Sequence, residues 1–295
     1  MILEEVRKNK ISSFFIISIF IIFIMIGVYS ICMYYDLGAI SIVFALAFSI
    51  IPSVISYYNC DKLVLKLNGA RPATKEQDLL IDSLLEGLCI ASGLPKPKLY
   101  VIEDSAMNAF ATGRNPENAV ICLTTGIIEG LDKYELEGVI AHELAHIKNH
   151  DTLLFTVVSV FVGLVVILSD FFTRIAFRGG SRKRNNKGGS IISIIAIIFI
   201  LLSPIFATLM QLMLSRKREY LADSSAIEFT RNPDGLINAL RKISGDVNPL
   251  ETASKSTAHM YIVNPFKEKS QPARDNLMST HPAIENRIDK LINIQ

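Results

Sequence analysis

The sequence predicts a mainly helical α+β chain whose folded domain is interrupted by, and attached to, transmembrane helices. Three observations predict this fold class. Four long apolar runs divide the 295 residues, apolar residues recur at helical spacing in the charged stretches, and a few short β-type segments lie among them. Half of the residues are hydrophobic and the mean hydropathy is +0.37, which is high for a water-soluble chain of this length.

The first two apolar runs, residues 11–33 and 37–58, are long enough to cross a bilayer and are joined by a short turn. Two later runs, 152–172 and 191–214, form a second predicted hairpin that divides the folded domain. We therefore expect an N-terminal transmembrane hairpin, a first domain part, a second hydrophobic hairpin and a second domain part, with the bounds 1–58, 59–151, 152–214 and 215–295.

Basic residues give two conflicting predictions for the orientation of these spans. Lysines and arginines flank both hairpins on the side of the folded domain, so the positive-inside rule places that domain in the cytoplasm and makes the chain a multi-pass protein of the cell membrane. The linker 178–189 inside the second hairpin is also basic and would then lie outside. A second hairpin that enters the bilayer without fully crossing it is the alternative.

The folded parts read, in chain order, as a helix, three short strands, a long helix and, after the second hairpin, a largely helical remainder. The predicted helices outside the long one are 78–91, 233–244 and 283–294, and the predicted strands are 98–102, 109–112 and 119–124. Residues 248–274 are polar and irregular by sequence, and we expect them to form a mobile lid.

The long helix carries the pentapeptide from His142 to His146, His-Glu-Leu-Ala-His. Asp132 and Glu135 form a predicted capping box at its start, and apolar residues follow at helical spacing. Residues four apart share one helical face, so His142 and His146 can bind one zinc ion while Glu143 takes a proton from a water on the metal. A core helix with hydrogen-bonded histidines is the alternative.

A second pair of residues four apart, Glu219 and Asp223, lies about seventy residues further along. Glu219 can be the third zinc ligand, and Asp223 can accept the remaining N–H of a ligand histidine and fix its tautomer. The alternative is a solvated helix face in which both carboxylates pair with neighbouring arginines.

These motifs resemble the integral-membrane gluzincin metalloproteases, most closely their HtpX-type members, which are related to the CAAX prenyl protease. The resemblance spans nearly the whole chain and includes the segments 108–113, 261–266 and 279–282. It implies a gluzincin-like metalloprotease domain in which His142, His146 and Glu219 bind one zinc ion per chain and Glu143 is the general base. It also implies that His281 faces the metal as an oxyanion donor supported by Arg287, and that substrate adds to an edge strand formed by Asn108, Ala109, Phe110 and Ala111, with the Asn108 amide as an anchor.

The remaining ionisable and thiol groups are expected to be structural. His150 is about 12 Å along the helix axis from His142 and is expected to close the helix or to contact the interface, and His259 is expected to have a surface or loop role. The four cysteines are scattered and are predicted to be free thiols. Because the net charge is only +2, the basic linker fits lipid headgroups better than nucleic acid.

The predicted function is therefore that of a membrane-bound zinc endopeptidase acting on protein substrates. By resemblance, those substrates are misfolded or damaged membrane proteins. A processing protease for one membrane-bound or lipid-modified precursor is one alternative. A non-catalytic zinc-binding scaffold is another, which the open three-ligand pattern disfavours. The sequence does not indicate an oligomeric state.

Overall fold

The computed structural model describes residues 2–34, 38–161, 216–254, 256–266 and 282–293. Several predictions fall outside those ranges. They concern most of the second hairpin with its basic linker, residues 267–274 of the predicted lid, and His281.

Helices α1 (Ile2–Tyr34) and α2 (Ile40–Tyr58) pack against each other, and α3 (Cys60–Leu67) follows after a break at Asn59. Within the described part of the chain, α1 alone is long and apolar enough to cross a membrane, with a mean hydropathy of 2.2 over Asn9–Ile26. The segments Ile40–Ile55 and Cys60–Leu67 pass the same test only together, and they are bent by 72°.

A small sheet forms the centre of the first domain part. Its strands are β1 (Arg71–Pro72), β2 (Lys98–Ile102), β3 (Ala109–Thr112) and β4 (Val120–Thr124), in the order β1-β2-β4-β3. The β2–β4 pair is parallel, whereas β1–β2 and β3–β4 are antiparallel. All three longer strands were predicted, with bounds that agree within one residue.

The sheet is buried on both faces because its side chains alternate between two hydrophobic clusters. Ile121 and Leu123 of β4 join a core made by the helices on one face, while Val120 and Cys122 join a cluster that includes residues of α1 and α3. The strand order places β3 at one edge of the sheet.

Helix α4 (Lys75–Ser92) begins three residues before its predicted start. Thr74 accepts a hydrogen bond from the Gln77 backbone N–H, and the Gln77 side chain accepts one from the Thr74 N–H, so a capping box sets the true start. The helix ends at Gly93, whose φ of +73° a residue with a side chain rarely adopts.

The motif helix α6 (Lys133–Lys148) follows the short helix α5 (Thr125–Gly130) and begins at the predicted capping box of Asp132 and Glu135. Nearly all of its length is buried, including the three motif residues. His150 has a φ of +56° between α6 and the apolar helix α7 (Asp151–Phe161), and the chain turns there.

Three further helices complete the core: α8 (Arg216–Thr230), α9 (Pro233–Gly245) and α10 (Ile284–Ile292). Helices α6 and α9 touch backbone to backbone. A Cβ at Gly138 would lie 2.7 Å from the Leu236 nitrogen, and one at Gly235 would lie 2.5 Å from the Tyr134 oxygen. Glycine is required at this crossing because a side chain would push the two helices apart.

Residues 256–266 correct two expectations. The segment was predicted to be polar, but Met260 to Val263 are buried, and the Ile262 N–H donates to the Ala109 carbonyl on β3. His259 was predicted to have a surface or loop role, but it lies in a 3₁₀ turn and is buried, with its Nε2 3.2 Å from the Phe155 carbonyl of α7. Apolar residues at 260–263 drive both differences, since burying them brings His259 in as well.

Candidate metal centre and active site

Helices α6 and α8 bring His142, His146 and Glu219 together. One ligand atom from each lies within 4.8 Å of the other two. The two Nε2 atoms are 3.2 Å apart, and they lie 3.7 Å (His142) and 3.6 Å (His146) from the Glu219 carboxylate oxygens. These are the three groups that the spacing of the motifs predicts should meet.

Each histidine has a carboxylate beside its other ring nitrogen. The Nδ1 of His142 lies 3.0 Å from Asp223, as expected, and the Nδ1 of His146 lies 3.0 Å from Asp151. A carboxylate at Nδ1 keeps the proton on that nitrogen and leaves the Nε2 lone pair available to a cation. Both rings are therefore oriented as metal ligands.

Asp151 is the partner that the sequence analysis missed. It lies one residue beyond His150, on the next helix, where the turn at His150 directs its carboxylate back toward His146. Asn9 of α1 donates to the second Asp151 oxygen at 2.6 Å and to the Asn149 carbonyl at 2.9 Å. The first apolar helix thus contacts the partner of a candidate metal ligand.

Arg287 of α10 is fully buried and binds the carboxylates of α8. Its guanidinium donates two hydrogen bonds to Asp223, at 2.7 and 2.9 Å, and one to the Ile262 carbonyl at 3.0 Å. It also lies 3.6 Å from Glu219 and 3.4 Å from the His142 ring. These contacts connect Arg287 to the ligand residues themselves, whereas its expected partner His281 lies outside the described residues.

The buried charges around the site do not balance among the described side chains. With every carboxylate ionised and both histidines neutral, as metal ligands are, four carboxylates face two guanidinium groups and the cluster has a formal charge of −2. The six residues are Glu143, Asp151, Glu219, Asp223, Arg218 and Arg287. One divalent cation would balance this cluster, and the nitrogen and oxygen donors match those that zinc prefers.

The pKa values of the two histidines shift in opposite directions. Burial and the Arg287 charge lower the pKa of His142, so that ring is neutral, as a metal ligand must be. Burial also acts to lower the pKa of His146, but Asp151 and Glu219 outweigh it and raise the pKa to about 9. The space between His146 and Glu219 therefore favours positive charge.

Glu143 lies beside the space between His146 and Glu219. Both of its carboxylate oxygens are buried and have no side-chain hydrogen-bond partner among the described residues, and the Ala111 backbone N–H is the main-chain group that acts on the carboxylate. Burial raises its pKa to about 7, His146 opposes the shift, and Glu219 adds to it. A carboxylate with a pKa near neutrality is suited to accept and return a proton.

The candidate substrate strand is largely engaged within the protein. The Asn108 side-chain amide donates to the Val263 carbonyl at 2.9 Å, and the Ala109 carbonyl accepts from Ile262. The Phe110 side chain is buried and packs edge-on against Tyr261. The Asn108 carbonyl accepts from Thr124 on the β4 side, and the Ala109 carbonyl accepts from Ile262 on the other side. Because these directions alternate along a strand, the backbone groups of Ala111 also point away from β4, and its amide acts on the pKa of Glu143.

Comparisons with known proteins agree with this geometry. Residues 75–295 match the model of peptidase family M48. A protease HtpX homolog of Dictyoglomus thermophilum is 43% identical over 98% of this chain and 93% of its own length, and one of Listeria monocytogenes serotype 4a is 41% identical over the full length of both chains.

One solved structure has a similar fold. The crystal structure of S. mikatae Ste24p aligns with 98% of this chain and 67% of its own, with a TM-score of 0.52 and 19% identity, so it shows a common fold. The predicted fold class and the resemblance to HtpX-type proteases are thereby confirmed. The chain belongs to peptidase family M48, a family of metal-dependent proteases.

Proposed function

We propose that this chain is a membrane-bound, zinc-dependent endopeptidase in which His142, His146 and Glu219 hold one zinc ion and Glu143 is the general base. The convergence of two Nε2 atoms and one carboxylate beside a buried glutamate carries this proposal. Three protein ligands leave one coordination position open, as in hydrolytic zinc sites. When bound, zinc supplies the Lewis acidity that polarises the scissile carbonyl and acidifies water.

The side chains perform the proton transfers and hold the ligands in place. Glu143 accepts a proton from the attacking water and returns it to the leaving amine, for which its pKa near 7 is suited. Asp223 and Asp151 keep the two imidazoles in the tautomer that presents Nε2. Arg287 positions Asp223 through two parallel hydrogen bonds, and it offsets the negative charge of Glu219.

Extended substrate adds to β3 at Ala111. The Asn108 side-chain amide is already bonded to Val263 and the Ala109 carbonyl to Ile262, so Ala111 supplies the main-chain groups next to Glu143. Backbone pairing of this kind accepts many sequences, because it uses groups that every peptide carries. His281 remains the proposed donor to the oxyanion.

We further propose that the chain lies in the cell membrane as a multi-pass protein with its catalytic domain in the cytoplasm, and that misfolded or damaged membrane proteins are its substrates. The apolar window Asn9–Ile26 and the bond from Asn9 to Asp151 support a site that is assembled against the bilayer. Labelling a cysteine introduced at position 185 from either side of the membrane tests the topology. Labelling from the cytoplasmic side would mean that the second hairpin does not cross.

The activity test is cleavage of an unstructured protein by the detergent-purified chain, with product masses identifying internal cuts. We expect Glu143→Gln to lower kcat by about 10² to 10⁴-fold and chelation to abolish cleavage. Glu137→Gln, on the same helix and outside the cluster, is the matched control and should remain active. Equal turnover by Glu143→Gln and Glu137→Gln would refute the assignment of the base.

A further inference from the structure

A cavity of about 530 Å³ lies between α1, α2, the loop after β3 and the start of α7. Its apolar wall is formed by one face of α1 and by α2, through Phe14, Ile17, Ile21 and Val54. These residues belong to the helices that carry the apolar runs, so the wall lies in the part of the chain that we place in the membrane.

The other end of the cavity is cationic. Lys10 and Arg114 line it together with the ring of His150. The Arg114 guanidinium lies 4.9 Å from the centre of the Tyr58 ring and donates to the Tyr58 carbonyl at 3.2 Å, so it is held at the rim. None of the described residues that line the cavity is acidic.

The two ends of the cavity follow the change in hydropathy along α1. The apolar window of α1 begins at Asn9, which places Lys10 at the boundary between hydrocarbon and headgroups. Tyr57 and Tyr58, at the end of α2, line the same cavity. Tyrosines and lysines at such a boundary are typical of the headgroup region.

We propose that this cavity binds one anionic phospholipid. Its phosphate lies between Lys10 and Arg114, and the His150 ring faces the same end. One acyl chain lies along Ile17 and Ile21. Charge complementarity selects the headgroup, because the two fixed cations have no acidic neighbour in the lining, and the apolar wall selects a lipid over a free phosphate ion.

The site also adjoins the metal centre. His150 and Leu153 line the cavity, while Asp151 between them accepts from Asn9 and faces His146. A bound lipid would therefore contact residues on either side of Asp151, whose carboxylate orients the candidate metal ligand His146. The proposal rests on the membrane placement given above but not on the proteolytic activity.

Native mass spectrometry of the full-length chain, released from detergent with a defined amount of lipid, tests this site. The probes are phosphatidylglycerol and phosphatidylcholine with identical acyl chains. We expect the first bound lipid to be phosphatidylglycerol with a preference of roughly thirtyfold, because its headgroup has a net negative charge that attracts both cations at about 1 kcal/mol each, whereas the choline of phosphatidylcholine cancels the charge of the phosphate. Retention of the chain in carbonate-washed membranes tests the membrane placement separately.

Two variants and one control locate the binding. Lys10→Gln with Arg114→Gln should abolish the preference. Ile17→Trp should exclude the lipid by filling the apolar end while leaving both cations in place. Lys62→Gln with Lys66→Gln, on the exposed face of α3, removes the same charge and should retain the preference.

Three results would overturn the proposal. The first is a wild-type chain that binds both lipids equally. The second is an equal loss of preference in the control, which would indicate general charge attraction. The third is displacement of the bound lipid by excess inorganic phosphate together with full binding to Ile17→Trp, which would indicate an anion site without an acyl-chain subsite.

Discussion

Replacing Arg287 by methionine tests how much the buried charge cluster depends on one guanidinium. The wild-type side chain is 1% exposed, makes two hydrogen bonds to Asp223 and lies 3.6 Å from Glu219. Methionine fills most of the volume but leaves two buried carboxylates without that cation. Breaking a buried ion pair in this way costs about 3 to 5 kcal/mol of unfolding free energy.

Thermal unfolding of the chelated protein in detergent measures this cost without a contribution from bound metal. At about 2 °C for each kcal/mol in a chain of this size, Arg287→Met should lower Tm by about 6 to 10 °C. Arg71→Met is the matched control, because Arg71 pairs with Glu103 at the surface. An exposed pair contributes at most about 1 kcal/mol, so its Tm should change by about 2 °C or less.

The reasoning fails if the two variants unfold at the same temperature. That result would mean that the Asp223 and Glu219 carboxylates are protonated or hydrated once Arg287 is gone, so that its charge adds little. Arg287→Lys separates charge from geometry. It retains the cation but not the two parallel hydrogen bonds, and should unfold between the wild type and Arg287→Met.

Three further variants test the helix crossing, the partner of His146 and the substrate strand. Gly138→Ala should destabilise the chain by about 1 to 3 kcal/mol, because the new methyl meets the Leu236 backbone at 2.7 Å; an unchanged midpoint in chemical unfolding would argue against the close crossing. Asp151→Asn should weaken zinc retention about tenfold or more at fixed pH, measured by competition with a chromophoric chelator. Wild-type affinity in that variant would show that Asp151 does not tune the ligand. Ala111→Pro removes an N–H that points away from β4 and acts on Glu143, so it should raise KM and also raise the pKa of Glu143 while zinc content is unchanged; an unaltered KM would place the substrate elsewhere.

The part of the site that a single helix carries could be predicted from sequence. His142, Glu143 and His146 have the spacing of one helical face, and the capping box at Asp132 fixes where that helix begins. Glu219 and Asp223 share a face for the same reason, and Glu219 was expected as the third ligand because the two-histidine motif needs one and the resemblance to a family implies it. Spacing within one helix does not specify which other helix it packs against.

The partners of the site could not be predicted in the same way. Asp151 reaches His146 because His150 adopts a positive φ, and histidine gives no strong sign of that conformation in sequence. Asn9 is 142 residues from Asp151, so their bond depends on how α1 packs. His259 and residues 260–263 were misjudged for a related reason, since a short apolar patch in a polar stretch is buried only where a surface accepts it.

The metal content of purified protein tests the central claim most directly. Elemental analysis should find one zinc per chain in the wild type and in Glu143→Gln, and none or nearly none in Glu219→Ala, with folding of each variant checked by circular dichroism. This pattern would separate the ligand carboxylate from the general base. A folded Glu219→Ala that retains one zinc, or loss of zinc from Glu143→Gln alone, would contradict the assignment of the two glutamates.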